Sequence, residues 1–414
     1  MPPSAPGCAL ATQSRMRPHS GFEVADIFRH YGDAYRRAYA VPPAHQKVID
    51  DIETCRTAAL GGHVEWCQHC GFERYAYNSC RNRHCPKCQV LTKARWLEAR
   101  KAELLPVPYF HTVFTLPHDL NALVLSNKRV LLAMLFQATS QTLLQFGRQN
   151  LGGQLGAITV LHTRDQQLRA HFHIHSLIPA GALDKEGDKW LATHPRFLFP
   201  VHALSMVFRE KFLEALSHAF ANNTLTFAGK TAKVGTATGF ASLKAQLRKK
   251  AWVVYVKKPF AGPEHVLDYV GRYTHRVAIA NHRIVEVRDG QVRFTYRDRR
   301  QGDVVRTMTL EACEFMRRFL LHVLPHGFVR IRHIGFLANR CKARALEQCR
   351  QLLGQPPDTS ESCAKSVAQW MQQWTGLDIT RCPNCGEGPL LRLPLPPPGQ
   401  PYGDALAPPI FDSS

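Results

Sequence analysis

Three histidines occupy alternate positions, His171, His173 and His175, in the run RAHFHIHSLI. A strand directs every second side chain to one face, so this run turns three imidazoles one way and Phe172 and Ile174 the other. Neutral imidazoles two residues apart can converge on a single divalent cation. Further along, DYVGRYTHR spans Asp268 to Arg276. Tyr269 and Tyr273 are four apart, as are Arg272 and Arg276, and on a helix each pair shares a face. A phenol is a weak nucleophile at neutral pH, its ordinary pKa being about 10. Cations that stabilise the phenolate, or a metal that activates the electrophile, change that. For a chain with 53 Lys+Arg against 32 Asp+Glu and a net charge of +21, a phosphodiester is the natural electrophile.

Sulfur offers a second chemistry. The chain has 13 cysteines, an odd number, and no apolar leader, which points to a reducing compartment rather than a disulfide framework. Cys67-x2-Cys70 and Cys85-x2-Cys88 form two knuckles that predict one four-thiolate structural zinc site. Cys80 and His84 lie between them, and either could replace one of the four. A further pair, Cys382-x2-Cys385, has no matching second knuckle, and a second zinc there stays open. Basic residues crowd the first two knuckles. Arg81, Arg83 and Lys87 are the expected phosphate contacts of this segment.

These groups need a scaffold. Segments 109–115, 156–162, 169–178 and 252–256 read as strands. Helical patterns run over 22–60, in two pieces broken by the prolines after Val41, and over 91–105, 124–148 and 201–220. A short helix over 264–273 carries the tyrosines. A β-rich stretch follows over 276–280, 283–288 and 291–297, with a hairpin turn at Asp289-Gly290. Segments 310–322 and 340–353 read as helices. The pattern predicts an α+β fold: an antiparallel sheet with helices on one or both faces. The expected domains are a disordered 1–20, a helical and zinc-binding unit over 21–105 that contacts DNA, and a catalytic unit over 106–330. A helical region over 331–388 carries the last Cys-x-x-Cys, and 389–414 is a Pro-rich tail that packs no core.

At 45% apolar residues the composition excludes a disordered chain. The longest apolar run, Val130 to Phe136, is far short of the roughly 18 residues of a membrane span. A membrane or secreted protein is therefore not expected, and a cytoplasmic one, associated with the nucleoid when acting on DNA, is. Residues 241–340 hold 20 basic against 8 acidic residues, so more than half the excess charge falls in the hundred residues around the tyrosines.

A His-hydrophobic-His strand combined with tyrosines on a helix resembles the HUH endonucleases. The wording is similar to transposases of the ninety-one family of bacterial insertion sequences, over about residues 27 to 387. The segments that carry the likeness are SCRNRHCPKC (79–88), VLHTRDQQLRAHFHIHSLIPAGAL (160–183), YVGRYTHRVAIANHRI (269–284), RIRHIGFLANRC (330–341) and CPNCG (382–386). The resemblance implies an HUH-type palm preceded by a small zinc-binding domain. In it His173 and His175 are the motif, with His171 an extra preceding histidine, and Tyr269 and Tyr273 are the paired nucleophiles. Some relatives keep one tyrosine, in the segment matching Tyr273. Cys67, Cys70, Cys85 and Cys88 match the family's zinc region.

The implied activity is nicking and joining of single-stranded DNA at element ends and target, through a 5′-phosphotyrosine, in rolling-circle transposition. Mg²⁺ or Mn²⁺ is the implied catalytic ion, with His162, Asp165 and Gln166 as candidates for its third ligand. Alternatives are an HUH relaxase or replication initiator, a non-catalytic zinc-dependent DNA-binding regulator, and a metallohydrolase that activates water. The last two predict no covalent adduct.

Overall fold

A computed structural model describes residues 21–257, 271, 278–298, 301–355 and 365–399. The expected helix over 264–273 and the residues Tyr269, Arg272, Tyr273 and Arg276 lie outside the described residues, as do 1–20 and 400–414. The remaining elements fall into one large sheet, two small ones and the helices that cover them.

The chain opens with helices Val24–Ala38 and Pro43–Thr54, the second with Pro43 in its first turn, where a missing N–H costs nothing. Two strands follow, β1 (Gly62–Cys67) and β2 (Glu73–Tyr77), then helix Gln89–Lys101. The large sheet comprises β3 (Tyr109–Thr115), β4 (Gln154–Arg164), β5 (Ala170–Pro179), β6 (Gly181–Leu183), β7 (Trp190–Ala192) and β8 (Val254–Lys257), in the order β7-β6-β4-β5-β3-β8. A three-stranded sheet of β9 (Ile284–Arg288), β10 (Gln291–Asp298) and β11 (Val304–Glu311) follows in the chain. Next, β12 (Ile331–Gly335) pairs with β4 of the large sheet. The last strand, β13 (Leu390–Leu395), joins β1 and β2 in the order β13-β1-β2. Every pairing is antiparallel.

Strand alternation divides the large sheet into two faces. On one, Phe110 and Phe114 of β3, Leu155, Ala157 and Leu161 of β4, and Phe172, Ile174 and Ile178 of β5 pack beneath helices Lys128–Phe146 and Val201–Ala221. Burying an aromatic or aliphatic side chain in this way contributes roughly 1.5–3 kcal/mol each. The opposite face carries Tyr109, Ile158, Val160 and Leu177, covered by Phe336, Leu346 and Cys349 from β12 onward into helix Lys342–Leu352. That cover reaches only one end of the strands. The other end of the same face carries His111, His162, His173 and His175, of which His111 and His173 are buried. The expected α+β sheet with helices on both faces is thus the observed architecture.

A second core lies beside the first. Val24, Ile27, Phe28 and Ile49 of the first two helices pack with Ile284, Val292 and Phe294 of β9–β10 and with Phe315 and Phe319 of helix Ala312–Leu320. The hairpin turn is where the sequence puts it: Asp289 and Gly290 both take positive φ, 50° and 75°, the signature of a primed turn. Leu168, at the tip of the β4–β5 hairpin, takes φ 61° and is fully buried in this second core. Burial of its side chain offsets the left-handed backbone and fastens the hairpin tip.

Three expectations are corrected. The boundary at 105/106 does not separate two cores, because residues 24–55 share theirs with 278–323. The described part of 276–280 is not a strand; the strand starts at Ile284, after a short turn. The Pro-rich tail is partly ordered sheet. LLRLPL alternates, and its Pro394 is tolerated because, among the described residues, β13 is an edge strand paired with β1 alone.

Candidate functional site

Pairing register brings the histidines together. In the β4–β5 ladder His162 stands directly opposite His173, and Val160 opposite His175. One ring nitrogen from each of His162, His173 and His175 falls within 4.8 Å of the others. His173 Nδ1 lies 3.1 Å from its neighbour's backbone oxygen, the carbonyl of His171. A carbonyl can only accept, so Nδ1 carries the proton and Nε2 is the nitrogen a metal ion would take. His175 Nδ1 meets His111 Nε2 at 2.8 Å. Burial, with Lys257 nearby, pushes His111 down to about 3, so it is neutral and able to accept from His175. Imidazole ligands are oriented by such partners on the other ring nitrogen.

His171 stays outside this trio. It stacks between His118, at 5.2 Å, and His173, at 4.6 Å. Asp165 does not belong to the converging group, and its carboxylate has other partners. Its carboxylate accepts from the Gln167 and Arg169 backbone N–H groups and from Arg169 Nε, which builds the β4–β5 turn. Gln166 lines the cavity, and its carbonyl accepts from Arg283. The donor set is therefore three imidazoles on rigid strands. That suits a divalent ion with open positions for substrate, and favours a transition metal such as Mn²⁺ over oxygen-seeking Mg²⁺.

The trio forms the floor of a cavity of about 490 Å³. Arg83, Arg164, Arg169, Arg297 and Arg330 line it, against Asp165 and Asp298. Burial, with Arg83 close by, pulls the Arg330 guanidinium down to about 10, still charged at neutral pH. His84 and His322 also face the cavity, and burial holds each near 3, hence neutral. The walls thus present arginine cations to an anion, while His84 and His322 add none. His322 Nε2 reaches the Leu168 carbonyl, and Arg318 donates to that of Gln167, so the hairpin that carries all three histidines is clamped from the second core.

The sulfurs divide differently from the expected set. Cys67, Cys70, Cys85 and Cys88 do not converge. Cys85 and Cys88 join Cys55 and Cys80, with Sγ–Sγ separations of 3.5 Å for Cys55–Cys88 and Cys80–Cys88 and 3.6 Å for Cys55–Cys85. Cys67 and Cys70 instead face Cys382 and Cys385. The reason is that β1 pairs with β13, which carries the first knuckle away from the second. Tetrahedral zinc at Zn–S of about 2.3 Å sets sulfurs about 3.8 Å apart, so the Cys55–Cys80–Cys85–Cys88 cluster fits a structural zinc. His84 is not a ligand. Its neighbour Arg83 donates to the carbonyls of Phe328 at 2.7 Å and Pro325 at 3.0 Å, tying this loop to the cavity rim. Lys87 is paired with Glu23. Of the three expected phosphate contacts in this loop, Arg81 is the exposed one.

Sequence reasoning missed His111 and Cys55. Alternation along YFHTVFT, with Phe110 and Phe114 inward, could have put His111 on the histidine face. Cys55 follows a helix end and has no knuckle spacing to announce it.

Comparison with known proteins follows from this geometry. Residues 156–345 match the family model described as "Putative transposase", and residues 27–116 match one described as "Transposase zinc-binding domain". The chain is 48% identical over 381 residues to "Putative transposase y4qJ" of Sinorhizobium fredii, covering 91% of this chain and 96% of the relative. It is 28% identical over 347 residues to "Transposase for insertion sequence element IS801" of Pseudomonas savastanoi pv. phaseolicola, covering 82% and 81%. No solved structure matches. The zinc-binding match encloses the whole Cys55–Cys80–Cys85–Cys88 cluster and only half of the other.

Proposed function

Since the chain belongs to the IS91-type transposases, we propose that it nicks and joins single-stranded DNA at the ends of its element through a 5′-phosphotyrosine, in rolling-circle transposition. The observation that carries this reading is the convergence of His162, His173 and His175 on the floor of an arginine-lined cavity. These three imidazoles would hold the divalent ion. Bound there, it supplies Lewis-acid polarisation of the scissile phosphate.

The chain's own residues do the rest. Arg164, Arg297 and Arg330 bind the flanking phosphates and draw one strand across the cavity floor. A recessed site of this size takes a splayed single strand more readily than a duplex. The hydroxyl of Tyr273 or Tyr269 attacks phosphorus: a tyrosyl O–P bond forms, the P–O3′ bond breaks, and the departing oxygen takes up a proton as a free 3′-OH. The second tyrosine repeats the step on another strand. Energy stored in the phosphotyrosyl bond makes a nucleotide cofactor unnecessary. The zinc held by Cys55, Cys80, Cys85 and Cys88 is structural, and Arg81 and the loop around it give a second basic contact with DNA. The enzyme works in the cytoplasm.

The test uses the full chain, Mn²⁺ and single-stranded oligonucleotides carrying an element end. A covalent protein–DNA adduct, resistant to denaturation, is expected for the native chain and absent for Tyr269→Phe with Tyr273→Phe. An adduct that survives both substitutions overturns the nucleophile assignment. Cleavage without any adduct would instead mark a hydrolase that activates water.

A further inference from the structure

The second sulfur cluster lies outside the matched zinc-binding region in half of its members, and the chemistry above makes no use of it. We propose that Cys67, Cys70, Cys382 and Cys385 hold a second structural zinc ion, a clasp that fastens the C-terminal strand to the N-terminal hairpin.

Geometry supports four thiolates on one ion. Cys67 Sγ lies 3.8 Å from Cys385 Sγ, and Cys70 Sγ lies 3.6 Å from Cys382 Sγ. These are the edges of a tetrahedron with Zn–S of about 2.3 Å, and far beyond the roughly 2.05 Å of a disulfide.

The two halves are built alike. Each is a C-x-x-C-G knuckle, CQHCG at 67–71 and CPNCG at 382–386. In each, the glycine N–H donates to the carbonyl of the first cysteine at 2.9 Å, Gly71 to Cys67 and Gly386 to Cys382. Each glycine takes a left-handed φ, 70° for Gly71 and 74° for Gly386, which a side chain would resist. Two copies of one turn, brought face to face from opposite ends of the chain, make a closed four-ligand site.

Backbone N–H groups also converge on the sulfurs. Those of His69 and Cys70 reach Cys67, that of Phe72 reaches Cys70, and those of Glu387 and Gly388 reach Cys385. Asn384 Nδ2 donates to Cys70 Sγ across the two knuckles at 3.6 Å.

The surroundings hold the clasp in register. β1 and β13 pair over six residues, with Cys67 opposite Leu390. Glu65, buried in the middle of β1, accepts from Arg74 of β2 and from Arg392 of β13. At Gly388 an added Cβ would lie 2.9 Å from Cys67 Sγ, so the backbone closes directly over the ligand.

Metal content of the full-length purified chain tests the proposal. Elemental analysis should give two zinc ions per chain, falling to one for Cys382→Ser with Cys385→Ser and to one for Cys70→Ser. Cys70 is exposed, so its substitution spares the cores. Cys70→His, which restores a ligand, should return the second zinc. Amide exchange over residues 390–395 should rise in the one-zinc variants and stay unchanged in helix Val24–Ala38. A native chain with one zinc, serine variants that keep two, or iron in place of zinc at this site would each overturn the proposal.

Discussion

The two sulfur clusters each bring four cysteines together, one inside a hydrophobic core and one outside it. One draws its ligands from a short stretch, residues 55–88, and Cys55 and Cys85 are fully buried among Ile49, Phe294 and Phe315. The other spans 318 residues, from Cys67 to Cys385, and lies outside the hydrophobic cores: Cys67 and Cys382 are buried, but by the two knuckles and the strands beside them, and Cys70 is exposed. Position, not chemistry, sets what each does. The buried cluster replaces apolar packing at the centre of the second core. The long-range one replaces covalent closure between distant parts of the chain, much as a disulfide would in an oxidising compartment.

Substitutions should separate the two. Cys85→Ser should have the largest effect. Structural zinc contributes on the order of 10 kcal/mol, comparable to the whole stability of a domain, so little soluble folded protein is expected. Cys70→Ser should keep a cooperative thermal melt; if it is as damaging as Cys85→Ser, the distinction between the sites is lost. Next comes the order of zinc release. A chromophoric chelator should remove zinc in a fast and a slow phase, and Cys382→Ser with Cys385→Ser should abolish the fast phase alone. Loss of the slow phase instead would reverse the reading. Gly388→Ala should act more gently. Its methyl group must be accommodated beside Cys67 Sγ at a cost of about 1–3 kcal/mol, an about 5- to 150-fold loss of zinc affinity at the Cys67–Cys70–Cys382–Cys385 site, read by chelator competition.

The smallest effect concerns Glu65. Burial pushes its carboxyl up, but the Arg74 hydrogen bond and charge, His63 and Arg392 outweigh this and hold it below the usual 4.5. A lowered folded pKa stabilises fully above the unfolded value and is lost as pH falls through the folded one. At pH 7, Glu65→Gln should therefore loosen β13, by roughly 1 kcal/mol because both arginines are half exposed. At pH values below the folded pKa the variant and the native chain should have the same amide exchange over 390–395. A difference that grows on acidification would contradict this sign.

What the sequence disclosed follows from which interactions are local. Alternation in AHFHIH places His173 and His175 on one face, and that needs no knowledge of neighbours. His162 needed the register that sets it opposite His173, and register is fixed by the hairpin turn around Asp165 and by the burial of Leu168 in a different core. Spacing alone grouped Cys67 and Cys70 with Cys85 and Cys88, because the competing partners lie 318 residues away. The repeated C-x-x-C-G was the visible clue that paired 67–71 with 382–386. Composition misled over 390–395, where prolines hide an alternating strand. The sheet, its helices and the histidine face were legible; the meeting of distant segments was not.

The pairing of β1 with β13 also has a meaning in time. A ribosome adds about 5–20 residues per second, so the 318 residues between Cys67 and Cys385 take on the order of 15–60 seconds to make. Throughout that interval the newborn chain carries Cys67 and Cys70 as an open dithiol, while all of residues 55–88 has long since emerged and can close. A message cut short before codon 382 yields a protein that never shuts this clasp, whatever else in it has folded.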